Sequence, residues 1–152
     1  MEPKCKLVVV GDDAVGKTSL LHSYARGRFP TDHVPTVLDT YSVTVPVVKQ
    51  SPIQLIVHVT AGKEPRLRPL AYPSTDIFLV CFAIDSPASL QNVREVWVPQ
   101  IPFRWGIRTP FILAGLKSDI RSDVKGSTRA SKESEGQKAG AGLVTCEMGQ
   151  KT

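Results

Sequence analysis

The stretch GDDAVGKTS, Gly11 to Ser19, constrains this chain more than any other. It satisfies G-x-x-x-x-G-K-[ST] and follows Leu7-Val8-Val9-Val10, a short β-branched run of the kind buried in parallel sheets. After it, Leu20, Leu21, Tyr24 and Ala25 recur at helical spacing and Gly27 supplies a stop. A glycine-rich turn between such a strand and helix aims backbone N–H groups and a helix N-terminus at one point, where they hold an anion. The pattern predicts a phosphate site in which Lys17 reaches the β- and γ-phosphates and the Thr18 hydroxyl ligates Mg²⁺. Gly11, Asp13, Ala14, Val15, Gly16 and Ser19 complete the cradle. Asp13 is discordant, because it brings a carboxylate to a place meant for negative charge.

The remaining elements follow from periodicity. Tyr41–Val48 and Ile53–Val59 read as two strands joined at Lys49-Gln50-Ser51-Pro52, and the alternation of Ile53, Leu55, Val57 and Val59 makes them an antiparallel edge hairpin. Thr60 to Ser74, broken by Gly62, Pro65, Pro69 and Pro73, reads as loop. Ile77–Ile84 and Phe111–Ala114 are further buried strands. Ser86-Pro87 starts a helix, Ser as N-cap and Pro in the first turn, whose inner face is expected to carry Leu90, Val93, Trp97 and Ile101. From Ser122 onward Ser, Gly, Lys and Glu dominate, so residues 122–142 are expected to be polar and flexible. Alternating strands and helices imply an α/β sheet, mostly parallel, with helices on both faces.

Bulk properties remove several function classes. A chain of 152 residues suits one domain. Its longest apolar runs are far short of a membrane span, and early charge at Glu2, Lys4 and Lys6 argues against a signal peptide. Cys5, Cys81 and Cys146 lack metal-ligand spacing and read as reduced thiols, consistent with a cytoplasmic protein. The net charge of +5 is biased to the second half. Without interleaved aromatics it reads as a solvated surface rather than a nucleic-acid groove.

Leu116-Lys117-Ser118-Asp119, just after the Phe111–Gly115 strand, fits the guanine-reading [NT]-K-x-D pattern except that Leu116 stands where Asn or Thr is usual. In that pattern the Asp carboxylate accepts from guanine N1–H and the exocyclic amine, and the Lys stem packs on the ring. Together with FPTDHVPTVLDTYSVTV (from Phe29), RLRPLAYPSTDIFLVCF (from Arg66) and SPASLQNVREVWVPQI (from Ser86), the chain resembles a Rho-family small GTPase of the Ras superfamily, most strongly from Lys4 to Asp123. The resemblance implies the P-loop NTPase small-GTPase (G domain) fold over residues 1–152, a single, incomplete domain lacking the last helix. It implies GTP or GDP and Mg²⁺ as cofactors and signal transduction as the role. Phe29 would lie edge-on to guanine, and Gly62, Lys117 and Asp119 would also line the nucleotide. Thr18 and Thr36 would hold the metal. Val34–Leu38 and Gly62–Tyr72 would meet effector and regulator proteins, with the chain a monomer.

The resemblance fails where hydrolysis would be done. Where the family has D-T-A-G-Q-E this chain has Val59-Thr60-Ala61-Gly62-Lys63-Glu64. Val59 cannot ligate metal. Lys63, at the position of the glutamine that orients the attacking water, has no acceptor. Asp13, where the family has Gly, obstructs the same place and an incoming arginine finger. Asp13 and Lys63 face one phosphate in the family and carry opposite charge, so an ion pair between them is expected. Thr145-Cys146-Glu147-Met148 keeps only the Cys of the family's Cys-Ser-Ala motif, and Gly149-Gln150-Lys151-Thr152 is not a C-a-a-X box, so no stable membrane anchor is expected. Without the last helix, outward sides of the central strands are expected to meet water. Two readings stay open: a guanine-nucleotide switch with very low hydrolysis, or a pseudo-GTPase interaction module with weak or no nucleotide binding. An aberrant product without stable function and an ATP-using P-loop enzyme are more distant.

Overall fold

Four parallel strands are held at the centre by apolar side chains on both of their faces. In the computed structural model, which describes residues 3–28, 31, 38–104, 106–120 and 142–143, these are β1 (Lys4–Gly11), β3 (Ile53–Thr60), β4 (Ile77–Ala83) and β7 (Phe111–Leu116). β2 (Leu38–Val45) runs antiparallel on β3, and β8 (Gly142–Leu143) antiparallel on β7, giving the order β2-β3-β1-β4-β7-β8. Val9 pairs with Val59 on one side and Leu79 on the other, and Val80 pairs with Leu113. The edge hairpin is as expected, displaced by three residues at its start. It ends at Val45 because Pro46 has no N–H to give the ladder.

Alternation along the strands sorts the core into two layers. Val9, Val57, Val59, Leu79 and Cys81 point to the face covered by Val15 and by Leu21 of α1 (Lys17–Arg26). Val8, Val10, Phe78 and Val80 point to the other, against Val93, Trp97 and Ile101. Val8, Val9, Phe78, Val80 and Cys81 are wholly buried, which corrects the expectation that outward faces of β1 and β4 meet water. Each such side chain contributes roughly 1.5–3 kcal/mol.

Two local expectations also change. Within the segment read as loop, Arg68–Ala71 forms a short helix, α2, with Pro69 in its first turn, where the missing N–H is harmless. The helix after β4 starts as expected: α3 (Pro87–Asn92) is capped by Ser86, whose hydroxyl accepts from Ser89 N–H at 3.3 Å. It then widens into a π-turn (Val93–Trp97), with Val98 N–H donating to Val93 O, and closes as α4 (Val98–Gln100). Pro99, which cannot bond back into an α-helical ladder, accounts for the widening. In an α-helix residues four apart drift by about 40°. The wider turn removes much of that drift, so Ser89, Val93 and Trp97 share the buried face while Leu90 is left exposed. Ser89 is satisfied there: its Oγ accepts from Ala83 N–H at 3.0 Å and donates to Ser86 O at 2.7 Å.

A small antiparallel pair, β5 (Phe103–Arg104) and β6 (Ile107–Arg108), precedes β7. Among the described residues no helix is long and apolar enough to cross a membrane. Apart from Gly142, the 122–142 segment lies outside the described residues, as do Thr145 to Thr152.

Candidate functional site

The site is built at the C-terminal ends of β1, β3, β4 and β7, the edge of a parallel sheet where ligands bind. β1 ends at Gly11, paired with Cys81 so closely that a β-carbon on Gly11 would collide with the Cys81 carbonyl. The chain then turns through Ala14 (φ 60°) and Gly16 (φ 104°) into α1. Lys17, 6% exposed, reaches back across this turn and donates to Gly11 O at 2.8 Å and Asp12 O at 2.6 Å. Burial pushes its ammonium below the ordinary lysine range. A desolvated cation thus closes a loop of converging backbone, an arrangement suited to a polyanion. Val15 is core, so its side chain anchors the loop, while Thr18 and Ser19 are half-buried in the first turn of α1.

The segment after β3 lies directly on this loop. Thr60 donates to Val9 O at 3.0 Å, and a β-carbon on Gly62 would collide with the backbone of Asp12 and Asp13. Lys63 Nζ stands 3.0 Å from Asp13 Oδ2, so the structure brings together the two oppositely charged residues that the sequence singled out. The Lys63 hydrogen bond holds the Asp13 carboxyl below its ordinary value, helped by the charges of Lys63 and Lys17 against slight burial. Both side chains are mostly in solvent.

Beneath this pair is a network that sequence reasoning missed. The Asp12 carboxylate accepts from Asn92 Nδ2 and from Trp97 Nε1, each at 2.7 Å, tying the phosphate-loop backbone to the helix after β4. Arg68, 8% exposed, lies over the Trp97 ring at 4.3 Å and donates through Nε to Ala61 O and through Nη2 to Gly62 O. Asp12, Trp97 and Arg68 therefore lock the loop, the helix and the 61–62 segment to one another. The partners of Asp12 are 80 and 85 residues away. The one available signal was an indole, that of Trp97, on the predicted inner helix face; Asn92 was not expected there.

At β7 the chain turns into Lys117, whose φ of 61° is uncommon for a residue with a side chain. Leu116, 3% exposed, packs on the loop: a β-carbon on Gly16 would lie 3.7 Å from its Cδ1. An apolar contact thus stands at the position where Asn or Thr is usual in the base-reading pattern. Lys117 Nζ is 3.5 Å from Asp85 Oδ2, and Asp119 is exposed. Phe29 and Thr36 lie outside the described residues, as does most of 34–38.

Val59 is fully buried among Val9, Val57 and Cys81. Its side chain belongs to the core rather than to the mouth of the site. Cys81 beside it is pushed up to about 12 by burial, so it is an inert thiol. Among the described residues no group of three or more His, Cys, Asp or Glu is placed to hold a metal ion. Compared with known families, the chain matches the model of the Ras family over residues 6–146.

Proposed function

Because the chain belongs to the Ras family, whose small GTPases bind guanine nucleotides, we propose that it is a Rho-type signalling switch, a single G domain acting in the cytoplasm, in which hydrolysis of GTP is impaired. The observation that carries this reading is the Asp13–Lys63 pair at 3.0 Å, lying over the phosphate loop. Gly11 and Asp13 to Ser19 fit a nucleotide's phosphates: the buried Lys17 supplies the cation and the loop the backbone donors. Lys117 and Asp119 are the residues that would take the base, Phe29 is assigned to the base by the sequence resemblance alone, and Gly62, packed on the backbone of Asp12 and Asp13, would be beside the phosphates. Thr18 and Thr36 are the residues that would hold Mg²⁺, which when bound neutralises phosphate charge.

Hydrolysis requires a water held in line with the terminal phosphate and room for an arginine. Lys63 cannot accept the water's proton, and Asp13 places negative charge where the transition state is already anionic. An arginine finger is worth about 10³–10⁵ in rate, so excluding it outweighs the other changes. Single-turnover hydrolysis by the purified chain, with and without an activating protein of the family, tests the proposal. Slow turnover that the activator does not stimulate is expected, unchanged in Lys63→Gln alone and raised in the double variant Asp13→Gly/Lys63→Gln. Stimulated turnover in the unaltered chain refutes it.

A second reading, a nucleotide-weak module that docks effectors or regulators through Val34–Leu38 and Gly62–Tyr72, is favoured by one observation. Leu67 and Leu70 on and beside α2 are 39% and 73% exposed. Retention of guanine nucleotide through purification decides between the two.

A further inference from the structure

Lys117 is held by a partner that the base-reading pattern does not contain. Ile84 N–H donates to Leu116 O at 3.1 Å, carrying the pairing of β4 and β7 one residue beyond β4. Asp85 and Lys117 are the next residues on each, and their charged groups meet at 3.5 Å. Three features converge on this lysine. Its backbone is in the left-handed region, which persists only where the surroundings impose it. Leu116 before it is pinned against the phosphate loop beside Gly16. Its ammonium is drawn toward a carboxylate rather than left to roam. A lysine so tethered at both ends keeps its four-carbon stem in one place, with the apolar stem available to a ring and the charged head satisfied in water.

We propose that Asp85 is the positioning residue for Lys117, fixing its stem along the face of a bound purine and so lengthening the residence of the nucleotide. This rests on the guanine-nucleotide reading above. In this role Asp85 acts through Lys117 and not on the ligand. Its effect passes through stacking, which every purine shares, whereas Asp119 reads the guanine edge.

The two mechanisms separate in a release experiment on the purified chain with fluorescent guanosine and inosine diphosphates. Asp85→Asn should release both about two- to fivefold faster than the unaltered chain, the range of a partly exposed ion pair. The difference should shrink at high salt, and Asp85→Glu should restore slow release. Asp119→Asn should instead weaken guanosine diphosphate more than inosine diphosphate. The melting temperature of nucleotide-free Asp85→Asn should match that of the unaltered chain. Unchanged release in Asp85→Asn overturns the role of Asp85. So does a loss that tracks a lowered melting temperature and is not rescued by Glu. If the unaltered chain binds neither diphosphate, the guanine-nucleotide reading has itself failed and the inference falls with it, an outcome distinct from normal binding with an indifferent Asp85.

Discussion

Replacing Trp97 with Phe keeps most of the ring volume and removes one N–H, which makes it a sharp test of the network under the phosphate loop. Trp97 is 2% exposed, and its Nε1 donates to Asp12 Oδ1 at 2.7 Å. Hydrogen bonds to charged groups contribute about 1.5–3 kcal/mol, and the donor's loss leaves a half-buried carboxylate oxygen without it. The Arg68 guanidinium, 4.3 Å from the ring centroid, retains a weaker attraction to Phe, a further loss of about 0.5 kcal/mol. Trp97→Phe should therefore cost about 2–3.5 kcal/mol, a large part of a typical 5–15 kcal/mol of stability. At roughly 2–4 °C per kcal/mol for a domain of this size, the midpoint should fall by about 4–14 °C. Urea and thermal unfolding measure the cost directly. The same substitution in an Asp12→Ala background should cost less than about 1 kcal/mol, because the bond is already gone. Equal costs in the two backgrounds would show that Asp12 and Trp97 are not coupled, and would refute the network as the source of the loop's rigidity.

Two further outcomes follow from the geometry. Val59→Asp, which by sequence restores a metal-holding carboxylate, should instead destabilise the fold by at least about 3 kcal/mol, because Val59 is wholly buried in an apolar cluster where a carboxylate is desolvated; a variant as stable as the unaltered chain and newly responsive to Mg²⁺ would contradict this. The Asp13–Lys63 pair should make a small stability contribution with a defined pH window. The Asp13 carboxyl is lowered from 3.8, so the contribution is fully present above that value and fades as pH falls through the lowered one. Both groups are half exposed or more, which limits it to under about 1 kcal/mol and makes it sensitive to salt. The excess stability over Asp13→Asn should hold from neutral to mildly acidic solution and vanish in strong acid, whereas an advantage that grows on acidification would reverse the sign of the pairing.

Elements whose causes are local were legible in the residues that form them. Gly11, Gly16, Lys17 and Thr18 specify a strand–turn–helix by backbone freedom and donor placement within a few residues. The hairpin β2–β3 is written in its alternation, and Ser86-Pro87 in the geometry of a helix start. The opposite charges of Asp13 and Lys63 were also legible, though only their family positions implied that they meet. Contacts between parallel strands of distant sequence that end side by side were not legible in the sequence, because they depend on how the sheet is ordered. The two carboxylate oxygens of Asp12 meet Asn92 and Trp97 only because β1 and the helix after β4 are packed together. Arg68 has a ring to lie over only because Trp97 is brought beside it, and the burial of Val59 depends on β1, β3 and β4 being neighbours. Leu90 and Ser89 exchanged roles because a π-turn altered the helical phase, a change that no fixed period of 3.6 residues anticipates. Local sterics and hydrogen bonding act over a turn of chain and leave their marks in adjacent letters. The pairing of Asp85 with Lys117, like that of Asp12 with Trp97, is set by which strands are neighbours, and that is a property of the sheet.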